Sequence, residues 1–237
     1  MTIQTQTISR TRSVSCWLAM VSILIVPLSL QAQDDDEPRT WDGLVEVEDR
    51  EVYTAFINPE ADFGAFQRVS ILEPHVAFRS NWQRDQNRNR SRNVRATDME
   101  RIKRDVAGLF MDVFTEQLEE AGYAVVNYAD EDVLVLRPAI IDLDVTAPDT
   151  RRPGRSRTYA ASTGAATLFL ELFDSVSGDL LGRAVDRRTA NRGNSFAMQA
   201  NRVTNRAEAR REFRAWADQL IEFLDRHYLE AGSTSSE

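Results

Sequence analysis

The chain has 237 residues, 42% of them hydrophobic, which suits one ordinary globular domain with tails. Its formal charge is −8; setting residues 1–32 aside takes two positive charges and no acid from that total and leaves −10, which excludes nucleic-acid binding by bulk electrostatics. The only cysteine, Cys16, lies in that leading segment, so disulfides, thiol catalysis and cysteine-ligated metals are excluded from the remainder.

Residues 1–32 read as an export signal. Arg10 and Arg12 form its positive flank, Ser13 to Leu30 its apolar run, broken at Pro27, and cleavage is expected after Ala32. Retention as an anchor is the alternative, because the run approaches the length of a membrane span. Cys16 sits near the start of the run and not at its end, where a lipid would be attached. The expected address is the periplasm, with outer-membrane association left open.

Residues 33–50 are acidic and read as an extended arm docking through Trp41 and Leu44. Residues 51–229 form the expected single α+β domain. Val52 to Ile57 suits a short edge strand ended by Asn58-Pro59, and Phe63 and Phe66 are expected in the core. Arg68 to Phe78 reads as one strand with an edge or bulge at Pro74. Arg79 to Arg95 holds six arginines, four asparagines and one acid, and is expected to be a long polar loop. Thr97 and Glu100 form a capping box for a helix whose apolar face runs from Met99 to Leu118 and stops at Gly122. Tyr123 to Asn127 reads as a strand.

Val133 to Val145 is apolar at nearly every position of its first nine residues, as a strand buried on both faces requires. Arg137-Pro138 predicts a bend or bulge there, with Ile141, Leu143 and Val145 inward and Asp142 and Asp144 outward. Asp149 to Arg157 is a second basic loop. Thr163 to Asp174 and Asp179 to Thr189 form a hairpin about Gly178, the second strand nearer an edge. Asn205 and Glu208 predict the start of a last helix running to about residue 229, and residues 230–237 read as a disordered tail. The whole amounts to a mixed, mostly antiparallel sheet of about five strands with two long helices packed on one face.

Chemistry is sparse. His75 and His227 lack partners at metal or catalytic spacing, and no phosphate-cradling loop or serine elbow is present. No cofactor and no metal are expected, and the chain reads as a non-enzyme. Asp142 and Asp144 lie ~6–7 Å apart along a strand and are the residues of the alternative reading, a periplasmic hydrolase. The arginine loops carry the leading reading. Arg79, Arg84, Arg88, Arg90, Arg92 and Arg95 stand in the first, and Arg151, Arg152, Arg155 and Arg157 in the second. Arginine grips phosphate and carboxylate through paired hydrogen bonds. The expected partner is therefore an envelope protein or a polyanionic surface such as lipopolysaccharide or phospholipid head groups. The oligomeric state is open.

Trp41-Asp42-Gly43-Leu44, Ala61-Asp62-Phe63, Val133 to Arg137 running on to Ile141-Asp142, Leu172 to Gly178, and Val185 to Arg188 stand in this order along the chain. Together they resemble a bacterial envelope family known as domain of unknown function 3313. The resemblance spans about residues 41–228. It implies an envelope protein of the outer-membrane lipoprotein type, which the position of Cys16 does not match, and it brings no activity or catalytic residues.

Overall fold

The structure is a computed structural model that describes residues 39–47, 54–88, 93–145, 159–160, 164–189, 198–199 and 202–234. The strands are β1 (Thr40–Trp41), β2 (Leu44–Val47), β3 (Thr54–Ile57), β4 (Arg68–Ile71), β5 (His75–Phe78), β6 (Ala124–Val125), β7 (Val133–Val145), β8 (Tyr159–Ala160), β9 (Gly164–Asp174), β10 (Leu180–Thr189) and β11 (Met198–Gln199). The helices are α1 (Trp82–Arg88), α2 (Ala96–Glu120) and α3 (Arg202–Thr234), with a 3-10 turn at Phe63–Ala65. Nine strands share one mixed sheet in the order β1-β2-β3-β10-β9-β7-β4-β6, with β5 also on β7, while β8 and β11 pair separately. The α+β class holds; the sheet is larger than the expected five strands.

The extra strands are short pieces that apolar patterning does not single out. The stretch read as an acidic arm contributes β1 and β2, a hairpin about Asp42 (φ 53) and Gly43 (φ 82), so the domain begins before residue 51. Of the two residues expected to dock it, Leu44 is 2% exposed, whereas Trp41 is 40% exposed and meets Phe56 and Phe169 edge-on. β3 is not an edge strand, because β2 and β10 pair with its two sides, and β10 is likewise interior. The stretch 68–78 is two strands, β4 and β5, both parallel to β7. The basic loop holds α1, and the tail contributes Glu230–Thr234 to α3.

β7 is the spine. Along one side it pairs antiparallel with β9, and along the other it meets β4 up to Leu136 and β5 from Ala139. Pro138 falls between these two partners. Leu72 donates to the Leu136 carbonyl at 2.9 Å on that side. By the two-residue alternation of a strand, Pro138 turns its missing N–H to the same side, where the ladder is already interrupted. The register with β9 accordingly passes Pro138 unshifted. The predicted bulge lies elsewhere, between Ile141 and Asp144, with Asp142 at φ 52. That extra residue resets the alternation: Ile140 (0% exposed) and Leu143 (4%) flank it in the core, and Ile141 is only half-buried.

One face of the sheet carries the core. Leu134, Leu136, Ile140, Leu168, Leu170 and Leu172 meet Phe110, Val113, Phe114 and Leu118 of α2 and Phe213, Trp216, Leu220 and Leu224 of α3. Both long helices thus pack on one face, as their periodicity predicts. Phe63 and Phe66 join the same core, also as expected. Arg210 and Arg214 of α3 share Glu116 of α2 at 2.9 and 3.4 Å, and Tyr123 donates to Asp225 at 2.8 Å. α2 starts one residue before the expected cap: Asp98, not Thr97, supplies the cap contact by accepting the Arg95 N–H at 3.1 Å. Gly122 (φ 96) ends it as predicted. α3 begins at Arg202, so Asn205 lies inside the helix and not at its cap.

Candidate functional site

β5 and β7 run parallel and finish at the same end of the sheet. Asn81 (φ 61), a residue type that tolerates the left-handed region, turns the chain from β5 into α1. Trp82 then anchors the helix. Its ring stacks on Phe78 at 4.0 Å, its indole N–H donates to the Val145 carbonyl at 2.8 Å, and it is 1% exposed. Farther along, Gln83 donates to the Val94 carbonyl at 2.9 Å and Asn87 accepts the Val94 N–H at 2.6 Å. A segment that reads as a polar loop is therefore helical because one tryptophan and two amides tie it down.

Arg79 sits at the foot of α1. Its Nη1 reaches Asp85 and its Nε reaches Asp144, each at 2.8 Å. The hydrogen bonds from Asp85 and Asp144 raise the Arg79 pKa, and the Arg79 hydrogen bond holds the Asp85 carboxyl below its usual range. Arg84 and Arg88, one turn apart on α1, are exposed. Among the described residues neither forms an ion pair. Arg95 is exposed before α2. Arg90, Arg92, Arg151, Arg152, Arg155 and Arg157 lie outside the described residues.

The two aspartates of β7 do not converge. Asp144 is the counter-ion of Arg79, while Asp142, on the bulge, lies 3.8 Å from Arg187, with both of those side chains more than half exposed. Among the described residues no group of three or more histidine, cysteine or acidic side chains is placed to hold a metal. His75 is exposed; His227 places Nδ1 2.8 Å from the Phe223 carbonyl and packs against Phe63. A cavity of about 70 Å³ lies between α3 and β3, β9 and β10, beside Trp216. Ligand pockets commonly hold ~300 Å³ or more.

The face of the sheet turned away from the core holds a second arrangement. Register places Arg137 of β7, Glu171 of β9, Arg183 of β10 and Phe56 of β3 in one cross-strand row. Glu171 binds Arg183 through Oε1 (Nη2 at 2.8 Å) and Arg137 through Oε2 (Nε at 2.7 Å). Arg183 also reaches Asp42 at 3.0 Å and lies 4.0 Å from the centroid of the Trp41 ring. Burial works against the Arg183 charge, but the bonds to Glu171 and Asp42 outweigh it and its pKa is raised.

Sequence reading missed Arg187, Arg183 and Glu171. One signal was present: Glu171 interrupts the apolar run of Thr167 to Phe173, and an acid in mid-strand needs a cation opposite it.

Residues 35–220 match the sequence model of a family described as protein of unknown function (DUF3313). No curated protein matches the chain. Among solved structures, PelC from Paraburkholderia phytofirmans, crystallised as a dodecamer, aligns at 10% identity over 64% of this chain and 87% of its own, with a TM-score of 0.33. A DUF4136 family protein from Bacteroides thetaiotaomicron aligns at 12% identity over 76% and 98%, with a TM-score of 0.32. A DUF330 protein from Xanthomonas campestris aligns at 14% identity over 75% and 93%, with a TM-score of 0.36.

Proposed function

The chain belongs to the DUF3313 family, a family of unknown function, and from its geometry we propose that it is a non-catalytic binding protein of the cell envelope. In this reading residues 1–32 are a cleaved export signal and the domain works in the periplasm. It holds an anionic surface, phospholipid or lipopolysaccharide head groups, at the sheet end that bears α1. The observation that carries the proposal is the arrangement around Arg79. Arg79 hydrogen-bonds Asp85 on α1 and Asp144 on β7, fixing the foot of the helix from which Arg84 and Arg88 project, so that three arginines there face two carboxylates. A fixed helix presents its arginines at little entropic cost, and guanidinium groups match phosphate oxygens geometrically. Arg187 extends the basic end along β10, and the sequence adds Arg90, Arg92, Arg151, Arg152, Arg155 and Arg157 to the segments that leave it. The alternative, hydrolysis by Asp142 and Asp144, is not favoured, because each aspartate faces a different arginine.

The test is co-sedimentation with phosphatidylglycerol vesicles and with phosphatidylcholine vesicles. Each arginine near an anionic surface contributes ~1 kcal/mol, about fivefold, so Arg84→Ser with Arg88→Ser should weaken binding by about an order of magnitude or more. Equal binding to the neutral vesicles would sink the proposal. Mass spectrometry of the protein from fractionated cells tests the export reading separately: the expected N-terminus is Gln33, from the periplasmic or envelope fraction.

A further inference from the structure

We infer that the sheet face opposite the helices is a docking surface for a second copy of this chain, the two faces meeting about a twofold axis.

The face carries a run of apolar side chains. Leu134, Leu136 and Ile140 are buried on the helix side of β7, so strand alternation turns Val135 and Ala139 to the other side. Register sets Val135 beside Phe173 and Ala139 beside Phe169, and all four are only half-buried. On β4, Ile71 joins the core, which directs Leu72 to the same outer face, where it is 44% exposed. Trp41 meets this face over Phe56 and Phe169 and is likewise exposed. Apolar residues exposed singly are ordinary, whereas a continuous patch on one sheet face marks an interface. The strands themselves point the same way. β4 and β5 run parallel to β7, and parallel ladders are ordinarily covered on both faces, yet both long helices lie on the other one.

Charge selects the occupant. Arg137 and Arg183 are matched by Glu171 and Asp42, so the polar cluster set among these apolar residues carries no net charge. Such a face holds nothing that draws a polyanion or a cationic partner. It suits its own copy, because a twofold contact lays each patch on its equivalent and a net charge would oppose the contact. Arg137 is the member left most exposed. It is hydrogen-bonded to Glu171 at 2.7 Å and lies 4.6 Å from the Phe173 ring centroid. A guanidinium already paired and stacked is covered at lower cost than a free cation.

The area suits a dimer. The face runs from β3 through β10, β9 and β7 to the line shared by β4 and β5. At a strand spacing of ~4.8 Å and a rise of ~3.3 Å over about seven residues, it offers roughly 500 Å² per copy and roughly 1,000 Å² for the pair. That reaches the ~1,000 Å² expected of a specific interface and stays below the size of an obligate one. The dimer should therefore exchange with monomer, its two sheets stacked ~10 Å apart.

The experiment is sedimentation equilibrium of the full chain over a range of concentrations. The expected result is a monomer–dimer equilibrium with a dissociation constant on the order of micromolar, unchanged between about 0.1 M and about 0.5 M salt. Leu72→Asp and, separately, Ala139→Arg should each weaken the dimer at least tenfold. Leu72 is already exposed, so its variant should keep the parent circular dichroism spectrum and melting temperature, and it decides the matter if Ala139→Arg does not fold. Val176→Asp, at the β9–β10 turn, should leave the dimer as tight as before. Arg84→Ser with Arg88→Ser should do the same, which separates this face from the vesicle-binding end. A chain monomeric up to about 100 μM, a dimer that dissociates in the higher salt, or a dimer unaffected by folded Leu72→Asp would overturn the inference.

Discussion

Arg183 and Glu171 face each other across β10 and β9 with Nη2 2.8 Å from Oε1, and their side chains are only 7% and 6% exposed. Such a pair adds little against a well-packed apolar replacement, but removing one partner strands the other. Arg183→Met is expected to cost ~3–5 kcal/mol, read from urea unfolding midpoints at constant slope. Arg183→Met combined with Glu171→Leu should cost clearly less than the two single changes summed. Simple additivity would mean the two side chains are not coupled.

Acid should loosen the fold at two places. The Asp130 carboxyl lies below its usual range because Arg68 hydrogen-bonds to it, helped by the Glu131 N–H, and Asp85 is depressed by Arg79. A depressed carboxyl stabilises the folded chain above its unfolded pKa and loses that contribution as pH falls through the folded value. The melting temperature should therefore be flat above about pH 5 and decline below about pH 4. Asp130→Asn with Asp85→Asn should shallow that decline, which thermal melts from pH 2 to pH 7 would read. An unchanged acid limb would count against both assignments.

The bulge at Asp142 sets a backbone requirement. With φ at 52, glycine suits the position better than any β-branched residue. Asp142→Gly should leave the melting temperature unchanged or raise it, and Asp142→Val should cost ~1–2 kcal/mol. Loss of stability on Asp142→Gly equal to that on Asp142→Val would show that the aspartate side chain, not the dihedral, is what matters there.

Trp82 fixes α1 by packing and by one hydrogen bond, and substitutions can separate the two. Trp82→Ala should cost ~3–5 kcal/mol as a large buried side chain is deleted. Trp82→Phe keeps most of the packing but leaves the Val145 carbonyl without its donor, at an expected ~1–3 kcal/mol. If hydrogen exchange in residues 82–88 rises in both variants while α3 stays protected, α1 unfolds independently of the core.

The long elements were legible because their signals are repeated. β7 spans the predicted Val133–Val145, the hairpin of β9 and β10 turns at Gly178, and the apolar faces of both long helices meet the core. The bounds and partners of the short elements were not legible, because two to four residues carry no period. β1 and β2 exist through pairing, β6 keeps only Ala124–Val125 of the expected Tyr123–Asn127 strand, and β3 is interior only because a distant hairpin, β9–β10, brings β10 to its side. At the site, sequence pointed to the end of β7 and to Arg84 and Arg88. It did not show that Arg79 matches Asp144, since those residues meet only when β5 lies beside β7. Nor did it place the bulge: Pro138 was the visible irregularity, whereas Asp142 looked ordinary.

Pro138 carries a consequence for how this sheet can vary. Because β4 and β5 serve the spine in succession, Glu73 stands at a junction where no hydrogen bond of the β7 ladder depends on it. Added length there would loop outward without displacing either strand, at a closure cost that grows only slowly with size. A reporter peptide spliced in after Glu73 should accordingly leave the rest of the molecule folded, making this junction a natural port for labelling the protein.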